Sequence, residues 1–172
     1  VIGSRIGWKD KETAVAWPGR SSDRINWNGV DLILSAAHNS ESLSHDLGRL
    51  GQERHVLVVG MTQKQDLSET TEPLLLSDCR IQTVVTEVHG GRTPSVPAGE
   101  LSKILSGHSE VAPMIIEEPI EAVDGAARLA IEEGCIVYVT GSVYLVGRVV
   151  GELASREGGD LWDYLEAHPS RS

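Results

Sequence analysis

The sequence predicts a three-layer, Rossmann-like α/β domain with a mostly parallel sheet and one antiparallel edge strand supplied by a hairpin. Two observations carry this expectation. Short runs rich in Val, Ile and Leu alternate with helical segments of about ten to fifteen residues, the pattern of right-handed crossovers between parallel strands. Asn28-Gly29 lies between two strand-like runs and suits the positive backbone angles of a two-residue hairpin turn.

Each element follows from local chemistry. Residues 1–16, which include Lys9-Asp10-Lys11-Glu12, read as a polar linker or lead-in from an upstream domain. Ser22–Trp27 and Val30–Ala36 form the hairpin, and Asp31–Ala37 is apolar enough for a strand covered on both faces. Ser40–Leu50 is a helix with Asn39 or Ser40 placed to cap it. His55–Gly60 is a buried strand, Leu67–Leu76 a helix, Ile81–Glu87 a strand, Ala98–Leu105 a helix and Ala112–Glu117 a strand. Pro119–Glu133 is the clearest helix. Pro119 suits its first turn, Ile120, Val123, Ala127 and Ala130 make an apolar stripe, and Gly134 fits the stop. Cys135–Thr140 is a strand and Val143–Arg156 a helix. Residues 157–172 form a tail in which Leu161–Ala167 reads as a short helix. Residues 17–156 are the domain proper.

The chain has 172 residues, enough for one domain with a substantial core. Its formal net charge of −10 speaks against nucleic acid as a partner, because phosphate backbones reward clustered Lys and Arg. No apolar run reaches the roughly 20 residues that span a bilayer, and no signal segment opens the chain. A cytoplasmic location without membrane contact is the expectation. Cys79 and Cys135 then read as reduced thiols. His45, His55 and His108 read as surface or turn residues, and no His or Cys spacing suggests a metal site.

In open parallel sheets ligands collect beyond the carboxyl ends of the strands. Those ends carry Ala37-His38-Asn39, Gly60–Lys64, Glu87–Arg92, Glu117-Glu118 and Thr140-Gly141-Ser142, a polar crescent suited to an anionic small molecule. The chain lacks a Gly-x-x-x-x-Gly-Lys-Ser/Thr phosphate loop, a Gly-x-Gly-x-x-Gly turn and a Gly-x-Ser-x-Gly elbow. It begins at Val1 without an initiator Met, which processing would explain and a segment of a longer protein explains at least as well.

Five motifs, in order, give the crescent a context: Trp17-Pro18-Gly19-Arg20, Ser35-Ala36-Ala37-His38-Asn39-Ser40, Gly60–Asp66, Arg92–Pro97 and Val139–Gly147. From about Val15 to Leu153 the chain resembles the carboxy-terminal domain of the Mur ligase superfamily, and most of all bifunctional dihydrofolate synthase/folylpolyglutamate synthase. The resemblance implies an ATP-dependent ligase that joins glutamate to a folate or pteroate carboxylate through an acyl phosphate. ATP and Mg²⁺ would be held mainly by absent amino-terminal and central domains, and the isolated chain would be inactive.

By resemblance, Arg20, Ser35, His38 and Asn39 belong to the ATP side, and Lys64 and Ser142 to the incoming glutamate. Each has a plainer alternative: a hairpin-edge salt bridge for Arg20, helix caps for Asn39 and Ser142, and a solvated loop position for Lys64. Two departures stand out. Ser35 replaces the family's carboxylate in Asp-Gly-Ala-His-Asn-Pro, and Lys64-Gln65-Asp66 replaces an Asp-Lys-Asp loop. They leave open a noncatalytic binding or interaction module of the same ancestry. An unrelated flavodoxin-like receiver would need an acidic cluster after the first parallel strand, and Ala37-His38-Asn39 does not supply one.

Overall fold

The computed structural model describes residues 20–107 and 111–159. Expectations for residues 1–16, for Trp17-Pro18-Gly19, for His108 and for the tail helix at 161–167 lie outside the described residues.

β1 (Arg20–Trp27) and β2 (Val30–Ser35) form the expected hairpin. Its turn places Asn28 at φ 52° and Gly29 at φ 91°, left-handed angles that Asn and Gly tolerate best. Then follow α1 (Ser40–Leu50), β3 (His55–Val59), α2 (Leu67–Leu75), β4 (Arg80–Val85), α3 (Ala98–Ser106), β5 (Met114–Ile115), α4 (Pro119–Glu133), β6 (Ile136–Thr140) and α5 (Val143–Arg156). α1 and α4 match the expected bounds. β5 is shorter than the Ala112–Glu117 run suggests, because it pairs only with β4 and both of its residues are exposed at the sheet's edge.

The six strands lie in the order β1-β2-β6-β3-β4-β5, all parallel except the β1–β2 pair. The last strand, β6, thus enters between β2 and β3. Side chains alternate across the sheet with the two-residue period of a strand. Val56, Val58, Val137 and Val139 join α4 and α5 on one face, whereas Leu57, Val59, Ile136 and Tyr138 join α1, α2 and α3 on the other. Three layers result, as expected. Ala122, Ala126, Ala127 and Ala130 bring α4 close against its face, and Gly134 ends the helix in the left-handed conformation.

A second anchor ties the hairpin to the helices. Trp27 is buried, its indole N–H donates to Asp124 Oδ1 at 2.7 Å, and the Arg156 guanidinium lies 4.1 Å from its ring centroid.

His55 departs from its expected surface position. It is 1% exposed and meets Tyr138 edge to face at a centroid distance of 5.9 Å. Its Nδ1 donates to the Glu53 carbonyl at 2.8 Å, and burial holds its pKa below the usual 6.5. The residue sits in a helix-covered strand, and the covering layer decides its burial. Cys79 and Cys135 are free thiols, and burial raises the Cys135 pKa. No helix among the described residues is long and apolar enough to cross a membrane.

Candidate functional site

Because five strands are parallel, their carboxyl ends meet along one edge of the sheet, and the order of strands sets the order of motifs. The hairpin register pairs Arg20 with Ser35, so β1 starts where β2 finishes. Beside them runs the end of β6, where Gly141 N–H donates to Ala37 O at 3.0 Å. Next comes β3, where Gly60 N–H donates to Thr140 O at 3.4 Å, and then β4 and β5, joined by Glu87 N–H to Glu117 O at 3.1 Å. Segments remote in sequence therefore form one continuous edge.

Two glycines permit this closeness. Gly141 has φ +103°, and a Cβ there would come within 2.6 Å of Gly60 O. At Gly60 a Cβ would meet Thr86 O at 3.0 Å.

Ser35 is wholly buried, and its hydroxyl is engaged within the fold. It donates to Asp46 Oδ2 at 2.5 Å and accepts from Ala37 N–H at 3.1 Å and from Thr140 Oγ1 at 3.3 Å. One hydrogen and two lone pairs are all that a hydroxyl offers. Ser35 thus underlies the strand end rather than lining it. Tyr138, also buried, makes no hydrogen bond of good geometry through its phenol. Burial pushes its pKa above the usual range, while the nearby Ser35 and Thr140 hydroxyls pull it back.

His38 and Asn39 are exposed at this end. His38 Nδ1 lies 2.9 Å from Ala36 O, which fixes the ring and orients Nε2 away from that bond. Asn39 Oδ1 accepts from Ser42 N–H at 2.9 Å, and Ser42 Oγ accepts from Asn39 N–H, a reciprocal cap of α1. Ser142 is 3% exposed and caps α5, its Oγ accepting from Tyr144 N–H at 3.2 Å. Both caps leave helix amino-terminal ends at the edge. The plainer roles of Asn39 and Ser142 are thus present in the fold.

Lys64 is half-buried and Arg92 exposed, and neither enters an ion pair among the described residues. Two of the acids nearby, Glu87 and Glu118, are engaged. Glu87 Oε1 accepts from Ala98 N–H at 3.1 Å and so caps α3, where Pro97 has no side chain to do so. Glu118 caps α4 and lies 3.6 Å from Arg148. Lys64, Arg92 and two helix amino ends along one edge suit an anion. Among the described residues no group of three or more His, Cys, Asp or Glu side chains is arranged to hold a metal ion.

No protein-family model matches the chain, and no curated protein matches it in sequence. Solved structures do match. The chain resembles E. coli FolC in complex with ADP, with TM-score 0.65 and 21% identity, over 83% of this chain and 33% of that one. It also resembles a folylpolyglutamate synthase from Thermotoga maritima, with TM-score 0.66 and 23% identity over 84% and 32%. The fold is one found in folylpolyglutamate synthases. A bifunctional folylpolyglutamate synthase/dihydrofolate synthase with Mn, AMPPNP and L-glutamate bound matches with TM-score 0.59 and 25% identity over 81% and 32%. The chain spans about a third of the length of these folylpolyglutamate synthase structures.

Arg20, Ser35, His38, Asn39 and Ser142 are brought to neighbouring strand ends, and Lys64 follows on the loop after β3. Sequence reasoning missed Asp46. It lies on α1, and its nearest signal was the acid missing from position 35.

Proposed function

We propose that this chain is the carboxy-terminal domain of an ATP-dependent ligase that adds glutamate to a folate- or pteroate-type carboxylate. The observation that supports it most is the gathering of widely separated motifs along one strand-end edge, in a fold found in folylpolyglutamate synthases. E. coli FolC with DHPP and ADP, and a bifunctional folylpolyglutamate synthase/dihydrofolate synthase with Mn, AMPPNP and L-glutamate, show which ligands those proteins take.

In such a reaction the acceptor's carboxylate oxygen attacks the γ-phosphorus of ATP, and ADP departs. The glutamate amine then attacks the acyl carbon, loses a proton, and expels inorganic phosphate. The contribution of this domain is binding and closure. Arg20 would place a guanidinium fork toward the phosphates, and His38 and Asn39 would face the nucleotide. Ser35 would serve that face from beneath. Lys64 would meet a glutamate carboxylate, and Ser142 would set the helix amino end that receives one. Among the described residues no group of three or more ligand side chains gathers, so Mg²⁺ would rest mainly on ATP and on residues outside this segment. The working enzyme would need the upstream amino-terminal and central domains, and would act in the cytoplasm.

A test is ATP-dependent glutamate addition by the full-length gene product, offered dihydropteroate and a reduced folate in turn. One ADP and one phosphate per glutamate joined is the expected stoichiometry. No ligation with either acceptor would exclude the enzyme. The isolated chain is expected to bind ATP weakly or undetectably, and micromolar binding by calorimetry would contradict that division of labour.

One observation favours a second reading. Ser35 carries no charge, and its hydroxyl is buried and donated to Asp46, which suits a noncatalytic binding module of the same ancestry. A full-length protein that binds nucleotide without turnover would select it.

A further inference from the structure

The geometry points to Asp46 as a positioning residue: acting through Ser35, its carboxylate fixes the turn of residues 36–39 that presents His38 at the strand-end face. The inference rests on the proposed function for its purpose, though not for its geometry.

Asp46 belongs to α1, eleven residues beyond Ser35, and only 14% of its side chain is exposed. A nearly buried carboxylate costs stability unless hydrogen bonds compensate it. Here one oxygen accepts a hydrogen bond from the Ser35 hydroxyl at 2.5 Å and the other lies 3.2 Å from His45 Nδ1 at the surface. A serine hydroxyl rotates freely until its hydrogen finds an acceptor. Once Asp46 takes that hydrogen, the lone pairs are directed at Ala37 N–H and Thr140 Oγ1.

Ala37 carries the effect onward. Its N–H is held by Ser35, and its carbonyl receives Gly141 N–H at 3.0 Å, just ahead of the Ser142 cap. The next residue, His38, is pinned on both sides, its N–H to Ser42 Oγ at 3.2 Å and its ring to Ala36 O. Thus a single carboxylate on α1 orders the ends of β2 and β6 together.

Amide hydrogen exchange by NMR on this chain tests the geometry. In Asp46→Ala, exchange at Ala37 and Gly141 should quicken about tenfold, while the remote core amide of Leu101 stays within about twofold. Asp46→Asn keeps an acceptor for Ser35 and should restore Ala37 to within about threefold of the parent. If Asp46→Ala does not fold, Ser35→Ala removes only the relaying oxygen and should give the same local signature. Unchanged Ala37 exchange in a folded variant, or equal quickening at every core amide, would overturn the proposal. In the full-length protein, Asp46→Ala should raise KM for ATP about tenfold, and Asp46→Asn should rescue it. A full-length protein with no ATP-dependent activity, combined with the local exchange signature, would sink the ligase while leaving the positioning role intact.

Discussion

Ser35 and Asp46 share a hydrogen bond of 2.5 Å that joins the end of β2 to α1. The carboxylate that the sequence resemblance leads one to expect at position 35 thus stands on the helix, one side chain away. Restoring the acid by Ser35→Asp would therefore set two carboxylates against each other in a buried site. Like charges at that separation cannot both ionise without large cost. The substitution should destabilise the chain by about 3 kcal/mol, and Ser35→Asp combined with Asp46→Ser should recover most of that loss. Urea denaturation of the three variants measures both.

His55 gives the fold a pH dependence. Burial lowers its folded-state pKa below 6.5, so below that pH the unfolded chain binds a proton that the folded chain resists. Stability should therefore fall as pH drops from about 6.5, by at most about 1.4 kcal/mol per pH unit, until the folded-state pKa is passed. His55→Phe keeps a ring against Tyr138 and should flatten the slope between pH 7 and 5. An unchanged slope in thermal melts would assign the dependence to other groups.

The Trp27–Asp124 contact should be costly to break from one side. Asp124→Ala leaves a buried indole N–H without its 2.7 Å acceptor and removes an anion 3.6 Å from Arg156. A loss of about 2 kcal/mol is expected. In a cycle with Trp27→Phe, which deletes the donor as well, the effect of Asp124→Ala should shrink to less than half.

Two glycines should respond in opposite directions. Gly141→Ala forces a side chain into φ +103° and within 2.6 Å of a carbonyl, so it should cost several kcal/mol or prevent folding. Gly147, inside α5, has nothing within 4 Å of a Cβ, and Gly147→Ala should stabilise by about 0.5–1 kcal/mol. Melting temperatures of the two variants check the contrast.

Features written in local chemistry were legible in the sequence. Asn28-Gly29 gave the hairpin, Pro119 and Gly134 bounded α4, and Asn39 started α1. Nonlocal features were not. Nothing near Ile136–Thr140 says that β6 inserts between β2 and β3, because that choice rests on how helices cover both faces. The burial of His55 follows from a helix layer assembled elsewhere. Asp46 looks like a surface acid on a polar helix until packing sets it under Ser35. At the candidate site, sequence showed which segments belonged together, while the split between exposed His38 and buried Ser35 required the strand ends in register.

The central claim is that the carboxyl edge of the sheet, with His38 at its centre, faces ATP. A crystal structure of the full-length protein with AMPPNP and glutamate tests it most directly. The account predicts the nucleotide between this domain and the rest of the enzyme, within contact of His38 and the residue 36–39 turn. A nucleotide that touches no part of that edge, or sits at the opposite end of the sheet beside Arg24 and Glu53, would contradict it.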